Sequence, residues 1–272
     1  MTRMKKNRKA KQKKFLDGRI HKGNFLGAVV DNINNQIRVY SNDMLQKRIQ
    51  RDSFVIGKSF DKLCGDELVQ MGELFSKTTY LISNGFFRAS HDEDRVKETC
   101  SKLLMNAIST IQASVELLRI GYTLQPCMLL RSAIETISTI AYFMMESNGY
   151  QVYLDGKLDV NKTIKYGKQL IPNLGQLQGL LSNHFVHISS LHSDLNGITK
   201  HTEITPPLTI NLNMIKICIW CLFVTSELAF YDYFDTHKYW TKISDNEYKF
   251  EHNEEDREWI SQFFKDEDSL SM

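Results

Sequence analysis

The sequence predicts a mostly α protein: an antiparallel helical bundle with a basic N-terminal arm and a small C-terminal β-hairpin. Apolar residues recur at three- and four-residue spacing along several stretches, which lays stripes on helices. The regular alternation of strand and helix that builds a parallel sheet is absent. The 14 glycines are scattered, and no G-x-G-x-x-G or G-x4-G-K-[ST] string occurs, which argues against Rossmann and P-loop nucleotide sites. With 272 residues, 42% hydrophobic and 24% charged, the chain suits one large domain with appendages.

The first element is the arm, Met1 to Lys22. It holds ten of the 34 basic residues and one of the 32 acidic ones, so the remainder carries 24 basic against 31 acidic residues, net −7. Self-repulsion and few apolar residues keep such a segment from building a core. Lys5, Lys6, Arg8, Lys9, Lys11, Lys13 and Lys14 are the candidate nucleic-acid contacts. Phosphates of nucleic acid, acidic lipid headgroups and the acidic body are the anions it suits, and phosphate binding would be strongly salt-dependent. No cleavable secretory signal follows the arm, because its apolar patches are short and interrupted by charge, so a cytoplasmic protein is expected.

Residues 23–90 read as an N-terminal helical region. A partly periodic helix is expected around Val30 to Arg51, and an amphipathic helix from about Asp61 to Asn84, stopped by Asn84-Gly85. Residues 91–235 form the bundle core. Its clearest helix runs from about Asp92 to Ile120, with an acidic first turn and Gly121 as its stop. The next begins near Thr123, a candidate cap, with Pro126 in its first turn, and reaches Asn148-Gly149. Their short connection makes the pair antiparallel neighbours.

Asp155-Gly156 marks a turn, helix broken by Pro172 follows through Ser182, and His187 to Pro207 reads as a long polar loop. The last long helix is expected over about Leu212 to Asp235. From Met214 to Phe234 it is apolar, but Lys216, Glu227 and Asp232 argue for a buried bundle helix over a transmembrane one. Residues 236–272 supply a hairpin around Ser244-Asp245-Asn246 and a short helix, capped by Asn253, that carries Trp259, Phe263 and Phe264. Five cysteines do not make a disulfide framework, and Cys218-x2-Cys221 sits in an apolar helix as core packing.

Two sparse polar signatures stand out. Arg131 and Glu135, four apart on one helix, share a face with Ser132, Thr136, Ser138 and Thr139, which is odd for a solvated surface. An exposed pair contributes only about 0.3–0.5 kcal/mol, so stability is a weak motive. In a pocket, Glu135 would fix the guanidinium while its remaining donors clasp a phosphate or carboxylate; the alternative is an ion pair that joins helices. The second signature is Leu181-Ser182-x3-Val186-His187. His187 is the candidate acid–base group, because imidazole titrates near neutral pH, and Ser182 would orient it or Arg131. A metal site of His184, His187, His192 and Asp194 is a weaker reading without H-E-x-x-H, and neither a metal nor another cofactor is expected.

The string Leu129-Leu130-Arg131-Ser132-Ala133-Ile134-Glu135, followed by Leu181-Ser182 and Val186-His187, resembles a family of bacterial helical-bundle proteins related to the HEPN-like superfamily. The resemblance covers about Asp92 to Leu195. It implies an RNA-binding module or ribonuclease of a phage-defence or toxin system, acting as a homo-oligomer with a composite site. The usual arginine followed within a few residues by histidine is absent, since Thr136 and Ile137 follow Glu135. Catalysis would therefore need Arg131 and His187 as a rearranged pair, with Glu135 and Ser182 in support. The expected function is RNA or phosphate-ligand binding, with any RNA cleavage being metal-independent; the alternative is a non-enzymatic interaction or scaffold protein with a protein partner.

Overall fold

The computed structural model describes residues 24–31, 36–171, 173–195, 197–244 and 247–251, with 254, 256 and 258. The basic arm, Pro172, Asp245-Asn246, Asn253 and the terminal residues Trp259, Phe263 and Phe264 lie outside the described residues. The chain is mostly α with a C-terminal hairpin, as the sequence predicts, and the described residues hold a second antiparallel hairpin near the N-terminus. It divides into two compact units after Lys58.

In the first unit, β1 (Phe25–Asp31) pairs antiparallel with β2 (Gln36–Ser41), with Ala28 opposite Val39 and Val30 opposite Ile37. This corrects the helix expected over Val30 to Arg51. Val29, Val30, Ile37, Val39 and Tyr40 are β-branched or aromatic and favour the pleated surface, so helix starts only with α1 (Met44–Lys47). Ser41 is buried at the exit of β2, and its hydroxyl donates to Asp43 Oδ1 at 2.6 Å. Lys47 pairs with the same carboxylate at 2.8 Å. The bonds from Lys47 and then Ser41 hold the Asp43 carboxyl below its ordinary range. A π-helical turn over Arg48–Asp52 leads into α2 (Ser53–Leu63).

The second unit is the bundle. Helices α3 (Gly65–His91), α4 (Arg95–Arg119), α5 (Gln125–Met145) and α10 (Pro206–Ala229) pack on one another, and α7 (Val160–Leu170) covers α5. Between them lie the short α6 (Gly149–Leu154), α8 (Leu174–Leu180) and α9 (Ser190–Asp194). Asp94 caps α4 by accepting from the Lys97 N–H at 3.0 Å. Gly121, at φ 93°, ends α4 in a Schellman arrangement, with the N–H of Tyr122 reaching the carbonyl of Leu117 and that of Gly121 the carbonyl of Leu118.

Several boundaries differ from expectation for physical reasons. Asn84-Gly85 does not stop α3, because Gly85 serves close packing: a Cβ there would lie 2.6 Å from the Phe230 ring. Thr123 is not the cap of α5; it is buried, and its carbonyl accepts from the Asn211 amide of α10 at 2.8 Å. Helix α10 starts at Pro206 and not near Leu212, since proline lacks an N–H that the first turn would leave unbonded anyway, and it ends at Ala229 and not near Asp235. Within the expected 187–207 loop, Ser189 and His192 form a capping box that starts α9.

Helix α10 is apolar all round, as a helix buried on every side must be. Among the described residues it is the one helix long and apolar enough to cross a bilayer, yet most of it is buried inside the bundle. All five cysteines are free and buried, and burial pushes their thiols up, Cys100 to about 12, so they pack as small apolar groups. The hairpin of β3 (Trp240–Ser244) and β4 (Glu247–Phe250) is the one expected around Ser244. Trp240 Nε1 donates to the Val224 carbonyl at 2.8 Å, and Trp220 Nε1 to the Tyr239 hydroxyl at 3.1 Å, tying it to α10.

Glu227 completes this anchor. Its carboxylate is buried on α10, and its two oxygens accept the backbone N–H groups of Lys238 and Tyr239, the latter at 2.8 Å. Glu227→Ala leaves those donors unpaired and should destabilise the chain by roughly 2–4 kcal/mol in denaturant unfolding, with Glu227→Gln intermediate because it keeps one acceptor. Equal stability of Glu227→Ala and the unaltered chain would remove the carboxylate from this role.

Candidate functional site

Arg131 and Glu135 lie on the second and third turns of α5, where the four-residue spacing places them one above the other. Arg131 Nε donates to Glu135 Oε1 at 3.0 Å, and their side chains are 28% and 34% exposed. The pair is therefore partly desolvated, and the guanidinium is oriented through its Nε edge. Its two terminal nitrogens make no hydrogen bond among the described residues.

Three of the hydroxyls beside the pair are not open donors. Thr136, Ser138 and Thr139 donate back to the carbonyls of Ser132, Ile134 and Glu135, at 3.0, 2.9 and 2.8 Å. Ser138 is also pressed by α7, since a Cβ on Gly167 would lie 2.4 Å from its Oγ. That face of α5 thus meets another helix at Ser138 and is open at Arg131, Ser132 and Glu135.

The second signature forms a single turn. Leu181–Val186 is π-helical, and the His187 N–H closes it by donating to the Ser182 carbonyl at 2.8 Å, five residues back. Leu181 and Phe185 are buried and seat the turn against α5, while His187 leaves in extended conformation with an exposed side chain. Ser182 is 8% exposed, and its buried hydroxyl finds no hydrogen-bond partner among the described residues. The two signatures thus sit on packed neighbours. No hydrogen bond or ion pair joins His187 or Ser182 to Arg131 or Glu135 among the described residues.

The other histidines have local duties. His192 Nδ1 accepts from the Ser189 N–H at 3.1 Å, and the His184 carbonyl accepts from the Ser189 hydroxyl at 3.0 Å. Among the described residues, no three His, Cys, Asp or Glu side chains are grouped to hold a metal ion. His201 is buried; its Nε2 donates to the Leu118 carbonyl at 2.9 Å, and its ring stands edge-on to Phe60 at 5.1 Å.

Sequence reasoning missed a polar cluster at the far end of α5. The Tyr142 hydroxyl accepts from Lys162 Nζ at 3.1 Å, the Tyr166 hydroxyl donates to the Glu146 carboxylate, and the two rings meet edge to face at 5.0 Å. The signal was present as Tyr142-x3-Glu146 and Lys162-x3-Tyr166, two four-residue spacings on helices that pack together. The bond to Tyr142 raises the Lys162 pKa, and Glu146 raises that of Tyr166. The cluster ties α7 to α5.

Compared with known proteins, the chain matches no protein-family model, no curated protein and no solved structure.

Burial lowers the His201 pKa below its ordinary 6.5, with the bond to Leu118 opposing. The neutral ring is the folded form, so the unfolded chain binds the proton more readily. His201 thus contributes stability that is complete above pH 6.5 and lost as pH falls through its folded pKa. Denaturant unfolding over this range should show a shallower pH slope in His201→Gln than in the unaltered chain; identical slopes would exclude the histidine as its source.

Proposed function

We propose that this chain binds RNA or another phosphate-bearing ligand in the cytoplasm at the Arg131 face of α5, as a HEPN-like helical-bundle protein of a bacterial defence or toxin system. The observation that carries the reading is the Arg131–Glu135 pair. Glu135 holds the guanidinium by Nε at 3.0 Å and leaves the terminal nitrogens available for two parallel bonds to phosphate oxygens. Glu135 lowers the freedom that the arginine loses on binding, while its charge opposes the anion. The arm, with Lys5, Lys6, Arg8, Lys9, Lys11, Lys13 and Lys14, adds affinity that does not depend on base sequence and falls with salt.

Cleavage is the finer form of this proposal. His187 would take the proton from a ribose 2′-hydroxyl as that oxygen attacks the adjacent phosphorus; the 5′-oxygen leaves with a proton from solvent, a 2′,3′-cyclic phosphate forms, and Arg131 stabilises the developing phosphate charge. The exposed imidazole, which makes no hydrogen bond among the described residues, suits proton exchange, but its lack of a bond to Arg131 there supports binding more than cleavage. The back-bonded hydroxyls and the packing at Ser138 favour the second reading, a non-enzymatic interaction protein.

Arg131→Ala should weaken binding to a short single-stranded RNA by roughly 10- to 100-fold, as expected for loss of charge-assisted bonds, and Arg131→Lys should recover little of it. His187→Ala should keep binding and lose cleavage. Fluorescence anisotropy and product analysis separate the outcomes: unchanged RNA affinity in Arg131→Ala contradicts the binding site, and unchanged cleavage in His187→Ala contradicts the acid–base role.

A further inference from the structure

The described residues of the N-terminal unit present an exposed apolar surface. Among its described residues no large apolar side chain is buried, while Leu26, Val29, Val30, Leu45, Ile49, Phe54 and Val55 are each more than half exposed. The hairpin register sharpens this. Paired residues share a face, so Ala28 with Val39 and Val30 with Ile37 make one wholly aliphatic side of the β1–β2 ribbon. The opposite side is mixed, with Val29 across from Arg38 and Gly27 across from Tyr40. A two-stranded ribbon is marginal in water by itself, and a contiguous apolar patch of this kind marks a surface that is covered in use.

Charge decides among the covers. Residues 1–58 hold 15 of the basic and four of the acidic residues, net +11, and the rest of the chain is −9. Two copies of such a unit would repel each other face to face. RNA would satisfy the charge, but it gains nothing from four aliphatic side chains, since bases stack on aromatic groups. An anionic bilayer answers both: its acyl boundary accepts the aliphatic face, and its headgroups meet the cations. The helical segment after the hairpin repeats the pattern, with Leu45, Ile49, Phe54 and Val55 exposed among Lys47, Arg48, Arg51 and Lys58. Shallow apolar insertion with a polybasic segment is the two-signal combination that gives stable attachment.

We propose that the hairpin face of Ala28, Val30, Ile37 and Val39, with the adjoining basic segments, docks this protein on anionic lipid. This goes beyond phosphate binding at α5 and, apart from the arm, uses different residues. The test is flotation of the full chain with vesicles of phosphatidylcholine alone or mixed with phosphatidylserine. The chain should float with the mixed vesicles, with little binding to phosphatidylcholine alone and release at high salt. The double variant Val30→Asp, Ile37→Asp alters only exposed positions and should lower vesicle affinity more than about tenfold. Its bundle should unfold at the same denaturant midpoint, and its affinity for a short RNA should be unchanged. Arg131→Ala should float like the unaltered chain, so failure of the α5 site and of the lipid surface are told apart. Equal binding to both vesicle types, or full binding by the double variant, overturns the proposal. So does a dimer in light scattering that the double variant abolishes, because a second copy then covers the face, or a loss of RNA affinity in that variant.

Discussion

The burial of α10 on all sides is the constraint from which the bundle follows. A 24-residue helix with this little polar surface has no face to give to water, so α3, α4 and α5 must surround it. Two of its buried polar groups, Asn211 and Glu227, are satisfied at the point where another segment is fixed. Asn211 donates to the carbonyl of Thr123 and sets the connection between α4 and α5. Glu227 accepts two backbone N–H groups and sets the start of the C-terminal hairpin. Removing water from those groups is costly unless every bond is made, which converts non-directional apolar burial into a defined arrangement.

The polar signatures are consequences of this packing as much as of any ligand. With one side of α5 committed to the core, Arg131 and Glu135 remain at the margin, where partial burial strengthens their pairing and fixes the guanidinium. The Leu181-to-His187 string is a π turn whose spacing is that of its closing bond, Ser182 carbonyl to His187 N–H. Binding at Arg131 needs only the first signature. Cleavage needs both, together with a ligand that bridges them.

The long helices were legible because their stripes of buried apolar residues obey one period, as in α4, where Cys100, Leu104, Ala107, Ile108 and Ile111 line the core. The C-terminal hairpin was legible from its alternation. The first hairpin was not: its aliphatic residues fall on both sides of a short ribbon, and the result mimics a weak helical pattern. Gly85 misled for a different reason, since a glycine that ends a helix and one that admits a neighbouring ring look alike until Phe230 is placed. At the site, the pairing of Arg131 with Glu135 followed from four-residue spacing. The packing of Ser138 and the exposure of His187 depend on α7 and on the π turn, which no local pattern encodes.

The burial of α10 sets the order of the bundle, whereas the N-terminal unit buries no large apolar side chain among its described residues. Amide hydrogen exchange, resolved by segment and measured without lipid or RNA, tests this most directly. This arrangement predicts that residues 206–229 exchange most slowly, through global unfolding, and that residues 25–41 exchange orders of magnitude faster through local opening. Protection of the 25–41 hairpin equal to that of α10 would contradict it.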